Sequence, residues 1–400
     1  MAEAPWLTIV GVGEDGAEGL PPASRHAIET ADVILAPPRH LALTQGLGAA
    51  RRMPWPVPFA DGLPILAGLR GQRVVVLASG DPFWHGAGRV IAEALAPTDW
   101  TALPGPSCFA LTAARLGWGL EHVTCMGLHA APLARLRPHL APGVRMIVTL
   151  RDGDAVPALA TYLTQAGFGA SRVTILQRLG GPDECRTDAR ADALPDVSFA
   201  HPVCVAFAVA GAGAAMPRAA GKPDLWFDSD GQMTKRPVRA LTLSALAPQP
   251  GQHLWDIGGG SGSIAIEWLL SDPTTQATSI EPRPDRAARI RANADRLGVD
   301  RLAVVTGGAP DALAGLPDPQ AVFVGGGLSA ALLDVLMDRL GVGTRLVANA
   351  VTLESEALLS TAQARWGGDL LRIELAQAAP LGPRRGWKSA YPVVQWGITL

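Results

Sequence analysis

Apolar runs and the glycine-rich or polar breaks between them divide the chain into alternating strands and helices. Leu7–Val12 is a short apolar run that ends in the glycines Gly11, Gly13 and Gly16, which predicts a buried strand entering a tight turn. Residues 24–36 read as a helix running into a strand, with Pro37, Pro38, Arg39 and His40 just beyond the strand end. Residues 73–95 repeat the plan: a strand, the loop Ser79-Gly80-Asp81-Pro82-Phe83, and a helix starting near Gly86. Residues 104–118 predict a Pro/Gly loop and a helix with Ser107 as its N-cap. Residues 146–150, 172–179 and 203–210 read as strands, and 155–166 as a helix with Pro157 in its first turn. The first half is therefore two α/β lobes, about 1–104 and 105–210. Residues 211–222 have the Ala/Gly/Pro composition of an interdomain linker.

A second α/β domain is predicted over 223–400. It opens with a lead-in and a helix within 224–248, and then alternates strands and helices to about residue 351. Its last stretch, 370–400, reads as two long strands joined by a basic loop that carries Arg384, Arg385 and Lys388. No short-period repeat is present and the halves are not copies of each other. The fold class is α/β throughout, and the second domain is doubly wound.

The most informative stretch is 254–268. An apolar strand ends at Asp256-Ile257, three glycines follow at Gly258, Gly260 and Gly262, and an apolar helix restarts at Ile264. Glycines admit a ligand close to the backbone, and the helix beyond them aims free N–H groups at it. Nicotinamide and flavin enzymes use such turns too. Asp256, however, stands where dinucleotide binders usually carry an apolar residue, and a carboxylate there suits an ammonium group. Glu281 ends the next strand, where it can accept hydrogen bonds from ribose hydroxyls. Ammonium, ribose and a glycine turn together point to S-adenosylmethionine (SAM).

Composition narrows the partners. The net charge of −2 gives no general attraction to nucleic acid or to an anionic membrane. Of the 34 basic residues only Lys222, Lys235 and Lys388 are lysine. Arginine forks suit a ligand with several carboxylates, although a GC-rich genome is the plainer cause. Cys108, Cys125, Cys185 and Cys204 lack metal-ligand spacing and any disulfide pattern, so no metal is expected. They are read as thiols in a reducing cytoplasm. The N-terminus has no basic segment ahead of its first strand, and no apolar run reaches the ~18 residues of a membrane helix.

The second half resembles the class I SAM-dependent methyltransferases, most of all the decarboxylating methyltransferases of cobalamin biosynthesis that act at carbon 15 of the corrin ring. The pieces that carry the resemblance are DGQMTKRPVR, DIGGGSGSIAIE, IEP, GGAPDAL and FVGGG. It implies that Thr234 and Lys235 lie by the SAM site, that Asp256 to Gly262 wraps the methionine part, and that Glu281 holds the ribose. It also implies that Ala309 lies beside the adenine and that Gly326 borders substrate. Gly308 departs from an Asp common in the family. The first half resembles the class III tetrapyrrole methyltransferases through GVGEDG, ADVILAPPRHL, LASGDPFWHGAG, PGPSCFALTAARLGW and LQRLGGPDE. That resemblance implies SAM contacts at Gly80, Asp81, Pro82 and Ser107, with Gly11 and Gly13 bordering the substrate trough. Arg39 and His40 either meet substrate carboxylates or cap the strand, and Pro37-Pro38 replaces a glycine pair common in the family.

The two resemblances in this order imply methylation of a precorrin at carbons 5 and 15, with loss of the ring C acetate carboxylate. They imply one SAM per half, a corrinoid substrate, no nucleic-acid or membrane partner, a homo-oligomer and a cytoplasmic enzyme. No catalytic residue is assigned. His253, the single histidine of the second half, is read as structural, which leaves Asp, Glu, Lys or Tyr391 to donate a proton. Arg384, Arg385 and Lys388 either hold substrate carboxylates or form a solvated hairpin tip. The rival readings are a nucleic-acid methyltransferase, or a chain in which one half only binds.

Overall fold

A computed structural model describes residues 5–400; the first four residues, on which the reading of the N-terminus partly rests, lie outside the described residues. The chain divides into two compact units: residues 5–133 with 139–214, and residues 215–400 with the short segment 134–138.

The first unit holds two sheets. Strands β1 (Leu7–Val12), β2 (Val33–Ala36), β3 (Arg51–Pro54), β4 (Val74–Ser79) and β5 (Trp100–Leu103) form a parallel sheet in the order β3-β2-β4-β1-β5. Its central strands are apolar on both faces. Leu7, Ile9, Val33, Leu35, Val74 and Val76 pack into one core layer, and Val10, Val12, Ile34, Val75 and Leu77 into another. This is why β1, β2 and β4 read as continuous apolar runs. Strands β6 (Val123–Gly127), β7 (Arg145–Thr149), β8 (Arg172–Gln177), β9 (Cys185–Arg190) and β10 (Val203–Ala208) form a mixed sheet in the order β6-β7-β10-β8-β9.

Strands β3, β5, β6 and β9 were not legible as strands. β9 (CRTDAR) is an edge strand whose side chains mostly face water, so nothing apolar marks it. Arg39 and His40 lie just beyond the end of β2, as expected, on a short helix, Pro38–Leu43, that the sequence reading did not assign. Pro38 sits in its first turn, where a missing N–H costs nothing. The helix after the Ser79–Phe83 loop begins at Gly88, two residues later than expected.

The second unit is a seven-stranded sheet. Its strands are β11 (His253–Ile257), β12 (Gln276–Glu281), β13 (Ala303–Thr306), β14 (Ala321–Val324), β15 (Arg345–Ala350), β16 (Asp369–Ile373) and β19 (Val393–Thr399). The order is β13-β12-β11-β14-β15-β19-β16, with β19 antiparallel to both neighbours. Strands β17 (Ala376–Leu381) and β18 (Arg384–Ser389) form a separate antiparallel hairpin. The C-terminal stretch is therefore four strands, not two, and Arg384, Arg385 and Lys388 lie on β18 rather than in a loop. Gly382, at φ +57°, makes the hairpin turn with Pro383.

The ends of the expected linker are tied down. The Gly213 N–H bonds the Gly167 carbonyl at 2.9 Å in the first unit. In the second unit the Glu267 carboxylate accepts the N–H groups of Gly221 (2.7 Å) and Lys222 (2.9 Å), and the Arg239 Nε (2.6 Å). Arg239 also donates to the carbonyls of Lys222 and Thr234 and to Asp224. Both side chains are fully buried, so each charge depends on its partners. Among the described residues no helix is long and apolar enough to cross a membrane, and no cluster of His, Cys, Asp and Glu is placed to hold a metal ion.

Candidate active sites

The second unit has a cavity of about 740 Å³ at the C-terminal ends of β11, β12 and β14. This is where open α/β sheets bind ligands. Thr234, Lys235, Asp256, Gly258, Gly260 and Glu281 line it, as do Ala309 and Gly326. Gly258 is at φ +76°, and a Cβ there would come within 2.6 Å of the Gly326 nitrogen. The two turns can therefore close on each other because Gly258 carries no side chain. Gly262 does not line the cavity. It starts the helix Ser263–Ser271 at φ +75°, and a Cβ there would press on Ile290 at 2.8 Å.

Asp256 is almost completely buried. Burial pushes its carboxyl up to about 7, against the Ser279 hydroxyl, which donates to it at 3.3 Å. Among the described residues no cation pairs with it, so the site is one positive charge short. Glu281, also buried, accepts the N–H of Gly260 at 2.8 Å and of Arg283 at 3.1 Å, one on each oxygen. Each oxygen keeps a lone pair for a hydroxyl. An ammonium beside Asp256 and a diol beside Glu281 fit the donors and acceptors present, and SAM carries both. A Cβ at Gly308 would meet nothing within 4 Å, so an Asp there would have had room.

Within the second unit the cavity continues past Asp256 and Glu281. Its far side is made by Asn349, Val351, Ile373, Leu375, Tyr391 and Val393. Asn349 escaped the sequence reading; its only mark is one amide in the apolar run of β15. Arg384, Arg385 and Lys388 do not line the cavity. His253, as expected, sits at the start of β11, where its Nε2 meets the Thr278 hydroxyl at 2.9 Å.

In the first unit a cavity of about 390 Å³ brings together Gly13, Arg39, His40, Gly80, Asp81 and Ser107. Gly11 and Pro82 do not line it. A Cβ on Gly11 would lie 1.7 Å from the Gly80 oxygen and 2.5 Å from the Gly105 nitrogen, so Gly11 serves the close contact of the end of β1 with two loops, not the trough. Pro82 lies beneath, its carbonyl accepting the Gly88 N–H at 2.8 Å. The Asp81 carboxylate accepts the Phe83 N–H at 2.9 Å and so braces its own loop. Ser107 caps the helix Cys108–Leu116 by accepting the Ala110 N–H at 3.1 Å.

Arg39 is already engaged. It pairs with Glu14 and donates to the Ser79 hydroxyl and to His40 Nε2, each at 2.9 Å. Because Arg39 can only donate, the His40 Nε2 is an acceptor and the ring is neutral with its proton on Nδ1. Burial first, and then the Arg39 charge, push His40 down to about 3. Its Nδ1 is buried with no hydrogen-bond partner among the described residues. A neutral imidazole and a paired guanidinium make a poorer carboxylate clamp than the sequence implied. Glu14, His85, His129 and His201 also line this cavity and were missed. Burial, first among several causes, lowers His85 and His201. His85 lies inside a quoted motif and is held at φ +57°, a conformation uncommon for L residues, although His takes it more often than most.

Residues 6–195 match the tetrapyrrole (corrin/porphyrin) methylase family, and residues 225–400 match the precorrin methyltransferase domain. A Sinorhizobium sp protein named precorrin-6Y C(5,15)-methyltransferase (decarboxylating) is 48% identical over 400 residues, covering 99% of this chain and 97% of that protein. The chain belongs to the decarboxylating precorrin-6Y C(5,15)-methyltransferase family. A Salmonella typhimurium protein named cobalt-precorrin-6B C(15)-methyltransferase (decarboxylating) is 36% identical over 166 residues, 40% of this chain and 85% of that protein. The crystal structure of the C-terminal domain of precorrin-6Y C5,15-methyltransferase from Rhodobacter capsulatus is 55% identical, with a TM-score of 0.45; it covers 46% of this chain and 100% of that one. A member of this family is a SAM-dependent, decarboxylating C-methyltransferase. Its two units are a class III tetrapyrrole methyltransferase followed by a class I methyltransferase.

Proposed function

We propose that the chain methylates a precorrin at carbons 5 and 15 and removes the carboxyl of the ring C acetate, using one SAM in each unit. The second unit acts at carbon 15 and releases CO2; the first acts at carbon 5. The observation that carries the reading is the buried, unpaired Asp256 beside a carboxylate, Glu281, with two free lone pairs. A methyl on sulfonium is already activated, so the protein's task is alignment and exclusion of water. Asp256 fixes the amino-acid end, Glu281 the ribose, and the glycine turn brings both close to backbone. In the first unit His85 and His201, which burial favours in the neutral form, can accept the proton lost after methylation without first carrying one themselves.

The basic residues of β18 divide by face. In an antiparallel pair, directly opposed residues share a face and the faces alternate. Leu375 and Ala390, both on the cavity wall, pair next to Ala376 and Ser389. Alternation puts Lys388 and Arg384 on the face of Leu375 and Ala390, and puts Arg385 and Trp387 on the opposite one. Lys388 and Arg384 thus receive the outer carboxylates of a substrate seated in the cavity, and Arg385 does not.

The test is calorimetric titration of the full chain with S-adenosylhomocysteine, followed by product masses from methyl-labelled SAM and precorrin. Two sites per chain are expected, with one site lost in Asp256→Ala together with CO2 release. A single site in the wild type, or CO2 release that survives Asp256→Ala, overturns the assignment.

A further inference from the structure

Three polar side chains from three elements meet at the far side of the second unit's cavity. Asn349 on β15 stands directly opposite Gln395 on β19. Thr242 comes from the helix Arg236–Leu246. The Asn349 Nδ2 donates to the Thr242 Oγ1 at 2.9 Å. The Gln395 Nε2 donates to the same oxygen at 3.0 Å and to the Asn349 Oδ1 at 3.0 Å. Thr242 and Gln395 are buried. Polar groups in such a place are costly unless bonded, and a bonded set is rigid.

The bonding fixes the Asn349 amide. Gln395 uses both amide hydrogens, so turning Asn349 over would set one NH2 against another. In the arrangement present, the second Nδ2 hydrogen has no partner among the described residues, and Asn349 lines the cavity. The other residues that β15, β16, β19 and the hairpin root give to this wall, with Val351 just past β15, are Val351, Ile373, Leu375, Ala390, Tyr391 and Val393, none of them charged at neutral pH.

We infer that Asn349 contacts the carboxylate that leaves as CO2, and that Thr242 and Gln395 are its positioning residues. The inference rests on the reading of the second unit as the decarboxylating one. During the reaction the bond between the side-arm methylene and the carboxyl breaks. Its electron pair passes into the conjugated macrocycle, CO2 departs, and the methylene takes up one proton from water. Charge therefore leaves the carboxyl as the reaction proceeds. A guanidinium there would hold the ground state more tightly than the transition state and slow the step. An amide orients the group with little of that opposing pull, and the apolar wall around it favours the loss of charge. The carboxylates that stay on the product can be held by cations; this one is better held by a neutral donor.

The experiment uses the full chain, precorrin and SAM, and reads CO2 release, product mass and S-adenosylhomocysteine affinity. Asn349→Leu and Asn349→Asp are expected to lower CO2 release about 10- to 100-fold, the range for a lost hydrogen bond to a charged group. Affinity for S-adenosylhomocysteine and methylation at carbon 5 should stay as in the wild type. Thr242→Val should lower CO2 release on its own and add nothing in the Asn349→Leu background. Wild-type CO2 release in Asn349→Leu, equal loss of S-adenosylhomocysteine affinity, or full additivity with Thr242→Val would each overturn the assignment. CO2 release that survives Asp256→Ala would instead locate the failure in the reading of the second unit.

Discussion

Read as two SAM sites, as proposed, the two cavities would meet one cofactor with different electrostatics. The second unit offers buried acids, Asp256 and Glu281, and takes much of its cofactor wall from one stretch, residues 256–282. The first unit mixes charged and uncharged groups: its arginine is already paired to Glu14, Asp81 braces its own loop, and four of the chain's eight histidines stand on its wall. Its wall is gathered from residues 12 to 204. The second cavity holds a buried acid with no cation paired to it among the described residues; in the first cavity the arginine is already matched by an acid. SAM binding in both, as proposed, would mean that a shared cofactor does not impose a shared recognition chemistry.

The comparison breaks most visibly at Asp256. Asp256→Ala should weaken binding at the second site by about 100-fold or more, because the ammonium loses its buried counter-charge. Titration calorimetry should then show only the first site. In the first unit the equivalent strike is at Gly11. A methyl group 1.7 Å from the Gly80 oxygen forces that loop away from β1, so Gly11→Ala should abolish carbon-5 methylation and lower the first thermal transition by several degrees. CO2 release should survive it.

pH sharpens the contrast. Asp256 sits near 7 when folded and near 3.8 when exposed. The folded state therefore holds an extra proton between those values, and stability present below pH 4 is lost as pH rises through 7 in the ligand-free protein. Asp256→Asn should raise the ligand-free Tm above the wild-type value at pH 8 and still weaken SAM binding. Wild-type affinity at this site should fall as pH drops below about 7. His40 runs the other way: it lies near 3 when folded and 6.5 when exposed. The stability it contributes is present above pH 6.5 and is lost as pH falls toward 3. His40→Gln should flatten that acid limb of a Tm-against-pH curve.

The smallest effect expected is on the hairpin. Lys388→Ala and Arg384→Ala should raise KM for precorrin by a few-fold, in line with exposed charge contacts, and Arg385→Ala should leave it unchanged. Equal effects at all three positions would remove the distinction between the faces.

How far the sequence spoke follows from how each site is assembled. Asp256, the glycine turn and Glu281 are neighbours in sequence, so their spacing alone points to a ligand. The first cavity draws on loops separated by tens of residues, and composition does not say that His201 stands with His40. Its shape was legible only through resemblance to tetrapyrrole methylases. Arg384, Arg385 and Lys388 were visible as a basic cluster. That they occupy a strand, and so point to opposite faces, needed the register. Asn349 was hidden because one amide in an apolar strand looks like an ordinary exception until Gln395 and Thr242 are seen beside it.

Glu267 has a bearing on where a portable piece of this chain begins. The precorrin methyltransferase match starts at residue 225, yet Glu267 accepts backbone N–H groups from Gly221 and Lys222, and Arg239 reaches the Lys222 carbonyl. The helix that frames the glycine turn thus grips residues upstream of the shared homology. Anyone excising the second unit at the homology border would leave a buried carboxylate short of two donors, and the grafted module would start life damaged. The physical seam lies a few residues earlier, before Gly221.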